Sequence, residues 1–284
     1  MPELAVSLGA LIADGAARLR RSGVDEPRRQ AIRIWTELGH RDPAQVPLRR
    51  EYPVDTAEAV RFLAAISRRA HGEPLPHVTG CTGFRRLSLV SDSRALIPRP
   101  ETEGLVDLLL QRVRTGRVAD IGTGSGCIAL SLAQEGAYNE VIAIDCSADA
   151  LALARLNREL AAARVSLVRA DLCAPLGHSA LSALISNPPY LTVAEHSSLE
   201  SSVRDWEPAM ALVSGEDGMA ATTRLLDEGR DVVRPGGWLA LEVDCSRAAA
   251  AARLASAFGW SEVTVHMDLF GRERYLLAQR SDTR

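Results

Sequence analysis

From residue 117 onward, short apolar runs alternate with helix-length segments. Strands are predicted at 118–121, 141–144, 165–168, 183–186 and 238–243. This alternation is typical of a parallel sheet covered by helices, because a crossover between parallel strands needs a helix-length connection. Two further runs, 263–265 and 275–278, flank a turn at Gly271 and are predicted to close the sheet as a hairpin. The predicted fold is α/β, with a mostly parallel sheet and one antiparallel strand.

The first part of the chain has a different pattern. Helical spacing of apolar residues predicts three short helices: one at 4–21, one from Pro27 to a stop at Gly39, and one starting at Asp55. We therefore predict a helical domain at 1–75 that serves recognition or packing. A connector with a short strand or hairpin follows at 76–97, and the α/β domain spans 98–284.

Composition limits the classes of function. The chain has 284 residues, a net charge of -3 and a pI of about 6.1, whereas proteins that grip nucleic acid usually carry a basic surplus. The five cysteines include no C-x-x-C pair, which favours reduced thiols and argues against a zinc site, and no metal site is expected. No stretch reaches the ~20 apolar residues of a membrane span, and the amino terminus does not read as a signal peptide. These features predict a soluble, cytoplasmic protein.

The strand at 183–186 runs into Asn187-Pro188-Pro189-Tyr190. Two prolines forbid the strand to continue and hold the loop rigid. In open α/β sheets this edge is where ligands bind. One interpretation is a strand stop with an ordinary loop asparagine.

The other interpretation is chemical. An amide or exocyclic amine nitrogen is a poor nucleophile, since its lone pair is delocalised. If the Asn187 side-chain oxygen and the Pro188 carbonyl accept its two hydrogens, the NH2 group is oriented and the charge developing on nitrogen is offset. Tyr190 can stack on a planar substrate.

A second set of residues predicts a cofactor site. Gly122, Gly124 and Gly126 lie on the first strand-to-helix turn, where backbone must approach a ligand. The dinucleotide pattern fails because Cys127 stands where it needs glycine. Asp145 ends the second strand, where a carboxylate can grip ribose hydroxyls. Asp171 follows the third strand and, with the Leu172 amide, could read an adenine edge. This set indicates S-adenosylmethionine.

Over nearly its full length the chain resembles the PrmC/HemK protein-glutamine methyltransferases. The resemblance rests on HVTG at 77–80 before Phe84, IPRPETE at 97–103, DIGTGSG at 120–126, Asp145, SNPPY at 186–190, Trp206-Glu207-Pro208 and Glu242-Val243. Without the resemblance, IPRPETE would read only as the start of a helix at Pro100.

The resemblance implies a Rossmann-like S-adenosylmethionine-dependent methyltransferase. Its expected substrate is the glutamine of the Gly-Gly-Gln motif in class-1 peptide-chain release factors. Asn187, Pro188 and Tyr190 are the expected catalytic residues, and Pro189 joins them in binding the substrate amide. The expected cofactor-binding residues are Gly122, Thr123, Gly124, Ser125, Gly126, Asp145, Asp171, Leu172 and Asn187.

Three departures from the family pattern bear on these expectations. Arg85-Arg86 follows Phe84, where the family tends to have an aromatic residue and glycine. Residues 244–247 replace a turn that usually contains glycine and glutamine. Both could alter the surface toward a protein substrate. Leu172 stands where many members have an aromatic residue and should weaken adenine stacking without abolishing binding.

Other hypotheses stay open from the sequence. The same chemistry could target a ribosomal-protein glutamine or an adenine amino group in nucleic acid, although the acidic balance argues against the latter. The chain could also be a cofactor-binding interaction module without turnover, against which Asn187 and Tyr190 argue.

Overall fold

The computed structural model describes residues 6–281, and the chain forms two compact units. The first unit is the chain up to Cys81 together with Glu200–Trp206. The second unit consists of Thr82–Leu199 and the part that begins at Glu207. Each unit has a hydrophobic core of its own.

The first unit is helical. Its helices before Cys81 are α1 (Leu8–Arg21), α2 (Pro27–Leu38), α3 (Gln45–Leu48), α4 (Thr56–Ala70) and α5 (Leu75–Thr79). The Ser7 side chain caps α1 and Asp55 caps α4, each by accepting backbone N–H bonds. The predicted start of the first helix at Leu4 lies outside the described residues. The short helices α3 and α5 were not predicted, because a single turn has too few residues to show a helical period.

Aromatic packing defines the core of this unit. The rings of Trp35 and Phe62 meet edge to face with centroids 5.8 Å apart. Gly15 permits this approach, since a Cβ there would lie 2.8 Å from Phe62 Cζ.

The second unit contains two sheets. A hairpin is formed by β1 (Cys81–Phe84) and β2 (Leu87–Val90). The main sheet contains β3 (Thr115–Ile121), β4 (Ala137–Asp145), β5 (Ser166–Arg169), β6 (Leu181–Ser186), β7 (Val233–Glu242), β8 (Trp260–Met267) and β9 (Glu273–Arg280). Its order is β5-β4-β3-β6-β7-β9-β8, and β3 to β7 pair in parallel while β9 runs antiparallel to both of its neighbours. The predicted mostly parallel sheet with one antiparallel strand is confirmed.

Helices cover both faces of this sheet. The remaining helices are α6 (Pro100–Arg112), α7 (Cys127–Glu135), α8 (Ala148–Leu160), α9 (Val193–Ser197), α10 (Ser201–Arg204, in the first unit), α11 (Ala220–Val232) and α12 (Ala248–Ala257). One core takes apolar residues from α6 and α7, and the other from α11 and α12. None of the helices within residues 6–281 has the length and apolar character to cross a membrane.

One strand starts earlier than the sequence indicates. Residues 233–237, which precede the predicted start at Trp238, already belong to β7, because Val233 pairs with Leu181 before Trp238 pairs with Ala183. The intervening residues form an irregularity in which Gly236 has a φ of +72°. A bulge of this kind lets extra residues enter a strand without ending the pairing.

Arg85 is an internal tie rather than a surface residue. Its side chain is only 11% exposed and pairs with Glu135 at 2.7 Å and with Asp107 at 2.7 Å. Its backbone N–H donates to Glu103 Oε1 at 2.9 Å. The expectation that Arg85 could change the surface toward a protein substrate is therefore wrong for this residue. Its guanidinium binds Asp107 on α6 and Glu135 on α7 and so joins the hairpin to both helices.

Candidate active site at the carboxyl edge of the sheet

The carboxyl ends of the central strands meet at one edge of the sheet. In the register of the sheet, Ile121 lies opposite Ile144 on β4 and Ser186 on β6. The loops that leave these strands surround a cavity of about 420 Å³ within the second unit. Of the predicted site residues, it is lined by Gly122, Thr123, Gly124, Ser125, Asp145, Asp171, Leu172, Asn187 and Pro189.

The glycine turn after β3 leaves open space on the cavity side. Gly122 has a φ of +70°, and a Cβ added there would meet no heavy atom within 4 Å. A ligand can therefore lie directly against this backbone, as the predicted cofactor requires. Asp120 braces the turn by accepting bonds from Thr123 Oγ1 at 2.6 Å and from the Ala129 N–H at 3.1 Å. Burial raises the pKa of Asp120 to about 7.

Gly126 lies apart from the cavity lining. Its φ is +86°, and a Cβ there would lie 3.3 Å from Leu130 Cδ1 and 3.4 Å from Ala154 Cβ. Because Gly126 has no Cβ, side chains of α7 and α8 pack against its backbone, and they occupy the space that a ligand would need there. Its observed surroundings are those of a packing glycine.

Asp145 links the glycine turn to the end of β4. Its Oδ2 accepts from the Gly124 N–H at 2.9 Å, and its Oδ1 accepts from the Ser147 N–H at 2.9 Å. Each carboxylate oxygen retains a further lone pair. The carboxylate is thus held in one orientation at the cavity wall and can accept bonds from two neighbouring hydroxyls, which suits the ribose of S-adenosylmethionine.

We expect Asp145→Ala to weaken S-adenosylmethionine binding by roughly 1.5–3 kcal/mol, the scale of charge-assisted hydrogen bonds. The loss has two sources, since the ligand hydroxyls and the Gly124 N–H both lose their acceptor. Calorimetric titration measures the effect, with Asp149→Ala as the matched control because Asp149 is exposed on the first turn of α8. Unchanged affinity in Asp145→Ala would contradict this role.

The third strand end contributes an exposed pair. Asp171 is 64% exposed and forms an ion pair with Arg224 at 3.0 Å. Leu172 has a φ of +44°, a left-handed backbone that turns the chain beside the cavity. The structure therefore brings both residues to the cavity wall, with Arg224 as a neighbour that the sequence did not indicate.

Asn187 follows β6 and lines the same cavity. Its side-chain Nδ2 donates to Thr102 Oγ1 at 3.1 Å. Pro189 lines the cavity beside it, whereas Pro188 is buried and Tyr190 is half-buried, and neither is among the lining residues. Burial raises the pKa of Tyr190 to about 12, so its phenol remains neutral.

The sequence reasoning missed a second wall of the cavity. Pro98, Arg99 and Thr102, all from IPRPETE, line it. Glu207 ties this segment down by accepting from the Ile97 N–H at 3.0 Å and from Arg99 at 2.6 Å. The unusual composition of IPRPETE could have indicated that this segment belongs to the site. A proline and two glutamates are, however, also typical of the start of a helix, so the composition alone does not distinguish the two.

In the replaced turn at 244–247, Arg247 makes contacts within the protein. Arg247 pairs with Glu195 at 2.8 Å and donates from Nε to the Asp217 carbonyl at 2.8 Å. It thereby joins α9, which follows the Asn187 loop, to the segment that precedes α11. Within residues 6–281, no group of three or more histidines, cysteines or carboxylates is arranged to hold a metal ion.

Two family models match the chain. The PrmC N-terminal domain matches residues 10–80, and the methyltransferase small domain matches residues 100–202.

Curated relatives match almost end to end. The release factor glutamine methyltransferase of Nitratidesulfovibrio vulgaris is 37% identical over 97% of this chain and 96% of its own length. The proteins of the same name from Deinococcus radiodurans and Moorella thermoacetica are 37% and 38% identical, over 97% and 98% of this chain and 99% and 100% of their own.

Solved structures agree on the fold. A methyltransferase from Pyrococcus furiosus is similar with a TM-score of 0.54 and 18% identity, over 80% of this chain and 100% of its own. The hMettl16 catalytic domain, solved with the MAT2A 3′UTR hairpin 6, is similar with a TM-score of 0.55 and 17% identity, over 81% and 83% of the two chains. At these identities the likeness concerns the fold alone. On the extent and identity of the curated matches, this S-adenosylmethionine-dependent methyltransferase belongs to the release factor glutamine methyltransferase family.

Proposed function

We propose that this protein transfers a methyl group from S-adenosylmethionine to the side-chain amide nitrogen of the glutamine in the Gly-Gly-Gln motif of class-1 peptide-chain release factors. The observation that carries the proposal is Asn187, held at the wall of the cofactor-sized cavity with its Nδ2 already bonded to Thr102. The names of the curated relatives support the choice of recipient. Because release factors act during translation, the proposed place of action is the cytoplasm.

For methyl transfer, the main task of the protein is to align the glutamine amide nitrogen with the methyl group. When bound, S-adenosylmethionine would supply a methyl group on a positively charged sulfur. The bond from sulfur to methyl would break with its electron pair left on sulfur, the bond from the amide nitrogen to methyl would form, and the nitrogen would lose one proton to solvent. Gly122, Asp145 and their neighbours in the cavity wall would hold the cofactor. The Asn187 oxygen and the Pro188 carbonyl would accept the two amide hydrogens, orienting the nitrogen and offsetting its developing charge. The proposed stacking role of Tyr190 requires the substrate to reach a ring that does not line the cavity.

Transfer of a labelled methyl group tests the recipient directly. The full chain is incubated with methyl-labelled S-adenosylmethionine and, separately, release factor, ribosomal protein or DNA. We expect label in release factor alone, at the Gly-Gly-Gln glutamine. Release factor in which that glutamine is replaced by alanine is the control and should take up none. Label in ribosomal protein or DNA instead would contradict the proposal.

The first unit is proposed to recognise the release factor. It matches the PrmC N-terminal domain and has its own core, and its residues from Val6 onward contribute nothing to the cavity lining. We expect a chain lacking residues 1–75 to lose at least tenfold in kcat/KM toward release factor, while its affinity for S-adenosylmethionine persists because the cavity lies within the second unit. Steady-state kinetics and calorimetry measure the two. A truncated chain that methylates release factor as well as the full chain does would contradict this role.

A further inference from the structure

A buried chain of hydrogen bonds leads from Asn187 to a carboxylate at the end of β7. Asn187 Nδ2 donates to Thr102 Oγ1 at 3.1 Å, and Thr102 Oγ1 donates to Glu242 Oε2 at 2.7 Å. Thr102 is 2% exposed and Glu242 is 1% exposed. The Thr102–Glu242 bond is therefore shielded from water, whereas the Asn187–Thr102 bond is part-buried at the cavity wall.

The chemistry of the three groups sets the direction of both bonds. An ionised carboxylate can only accept, so the single Thr102 hydroxyl proton points at Glu242. Toward Asn187 the Thr102 oxygen can therefore only accept a hydrogen bond. The Asn187 amide must donate to it, so its NH2 group faces Thr102. The Asn187 oxygen must consequently face the other way.

The far end of the chain is also held. Arg274 lies 3.9 Å from Glu242 Oε1 and bonds Asp268 Oδ2 at 2.8 Å. The guanidinium therefore favours the ionised carboxylate, on which the direction of the hydrogen bonds depends. Thr102, Glu242, Arg274 and Asn187 come from α6, β7, β9 and the loop after β6, and Asp268 comes from the turn between β8 and β9. The fold brings these five parts of the chain to one edge of the sheet.

We propose that Thr102 and Glu242 are positioning residues that hold the Asn187 amide with its oxygen toward the substrate. This inference rests on the proposed function, in which that oxygen accepts a hydrogen of the glutamine amide. A free asparagine amide can present either end. If the NH2 group of Asn187 faced the substrate, it would lie against the NH2 group of the glutamine, and both are donors. The transition state would then lose the acceptor that the Asn187 oxygen provides.

Two substitutions at Thr102 separate the hydroxyl from the shape of the side chain. Thr102→Val keeps the branched shape and removes the hydroxyl, whereas Thr102→Ser keeps the hydroxyl and removes a methyl group. We expect Val to lower the single-turnover rate constant by about 10- to 100-fold, less than the ~10²–10³-fold of a lost transition-state hydrogen bond, because Asn187 remains and only its orientation is freed. Ser should stay within about threefold of the parent, and KM and cofactor affinity should move less than about threefold in either. Ser131→Ala, which removes another buried hydroxyl, is the control and should leave the rate unchanged.

A readout without turnover keeps this test separate from the recipient's identity. The chain has three asparagines, Asn139, Asn157 and Asn187, so selective ¹⁵N labelling gives three side-chain amide signals, assigned by the signal missing in Asn187→Ala. We expect slow hydrogen exchange at the Asn187 amide in the parent and in Thr102→Ser, and fast exchange in Thr102→Val. Equal exchange in all three, or equal rates for Val and Ser, would overturn the positioning role. Absence of methyl transfer by the parent with the exchange pattern intact would overturn the proposed function alone.

Discussion

Replacing Asn187 by alanine is expected to lower the rate constant of methyl transfer at saturating substrate by ~10²–10³-fold, the loss typical of one transition-state hydrogen bond. The electrophile is already strong, so the protein's main task is to place the glutamine nitrogen in line with it and accept its hydrogens. Alanine removes one of those acceptors. Affinity for S-adenosylmethionine should change much less, because the Asn187 oxygen is directed at the substrate amide.

Single-turnover rates at saturating release factor measure this effect without a contribution from product release. Asn139→Ala is the matched control, since Asn139 is exposed on β4 and bonds the Gly116 N–H at 3.1 Å. Asn187→Asp adds a second comparison, because it keeps an acceptor but introduces a charge beside Thr102 and the cavity. A near-normal rate in Asn187→Ala would mean that Asn187-Pro188-Pro189-Tyr190 only ends a strand.

The second large effect is expected at Glu242, as a loss of activity in acid. Burial raises the pKa of Glu242 to about 7, while the Thr102 hydroxyl and Arg274 favour the ionised form and Glu101 opposes it. Tyr190 and Tyr275 also face this carboxyl as neutral phenols, and Arg99 adds a further cation. Once protonated, Glu242 can donate to Thr102, whose proton then turns to Asn187 and selects the oxygen end of the amide.

We therefore expect the single-turnover rate constant to fall by about tenfold per pH unit below pH 7. Glu242→Gln places an amide in the same position. Its oxygen is drawn to Arg274 and its NH2 group is left facing Thr102, so it imitates the protonated acid. This variant should be about 10²-fold slower than the parent at pH 8, with little further change on acidification.

Protonation of Glu242 does not itself destabilise the fold. For a carboxyl group whose pKa is higher in the folded state than its usual 4.5, the folded state binds the proton more tightly. Its contribution to the free energy of unfolding is full below pH 4.5 and is lost as the pH rises through about 7. Acidification through Glu242 thus favours the fold while it lowers the rate. Glu159→Gln, at an exposed position on α8, is the control and should keep the parent's profile, whereas a steep acid limb in Glu242→Gln would contradict the assignment.

The fold could be predicted because its signals are local. Apolar runs of four to six residues mark the strands of a parallel sheet, and a glycine, an aspartate or a proline pair marks where each strand stops. The sequence therefore places Gly122, Asp145 and Asn187 at one edge, since parallel strands end together. The same reasoning could not tell Gly124, which lines the cavity, from Gly126, which makes room for α8.

The sheet, the edge proposed to bind the cofactor and the loop that holds Asn187 can thus all be predicted from the sequence. The residues that orient and enclose the Asn187 amide come together only in the folded chain. Thr102 lies 85 positions from Asn187 and 140 from Glu242, and no local period relates residues so far apart. Their meeting follows from the order of the strands, which places β7 beside β6. Arg85 shows the same limit, because whether its guanidinium faces solvent or the carboxylates of Glu135 and Asp107 depends on which helices the hairpin meets.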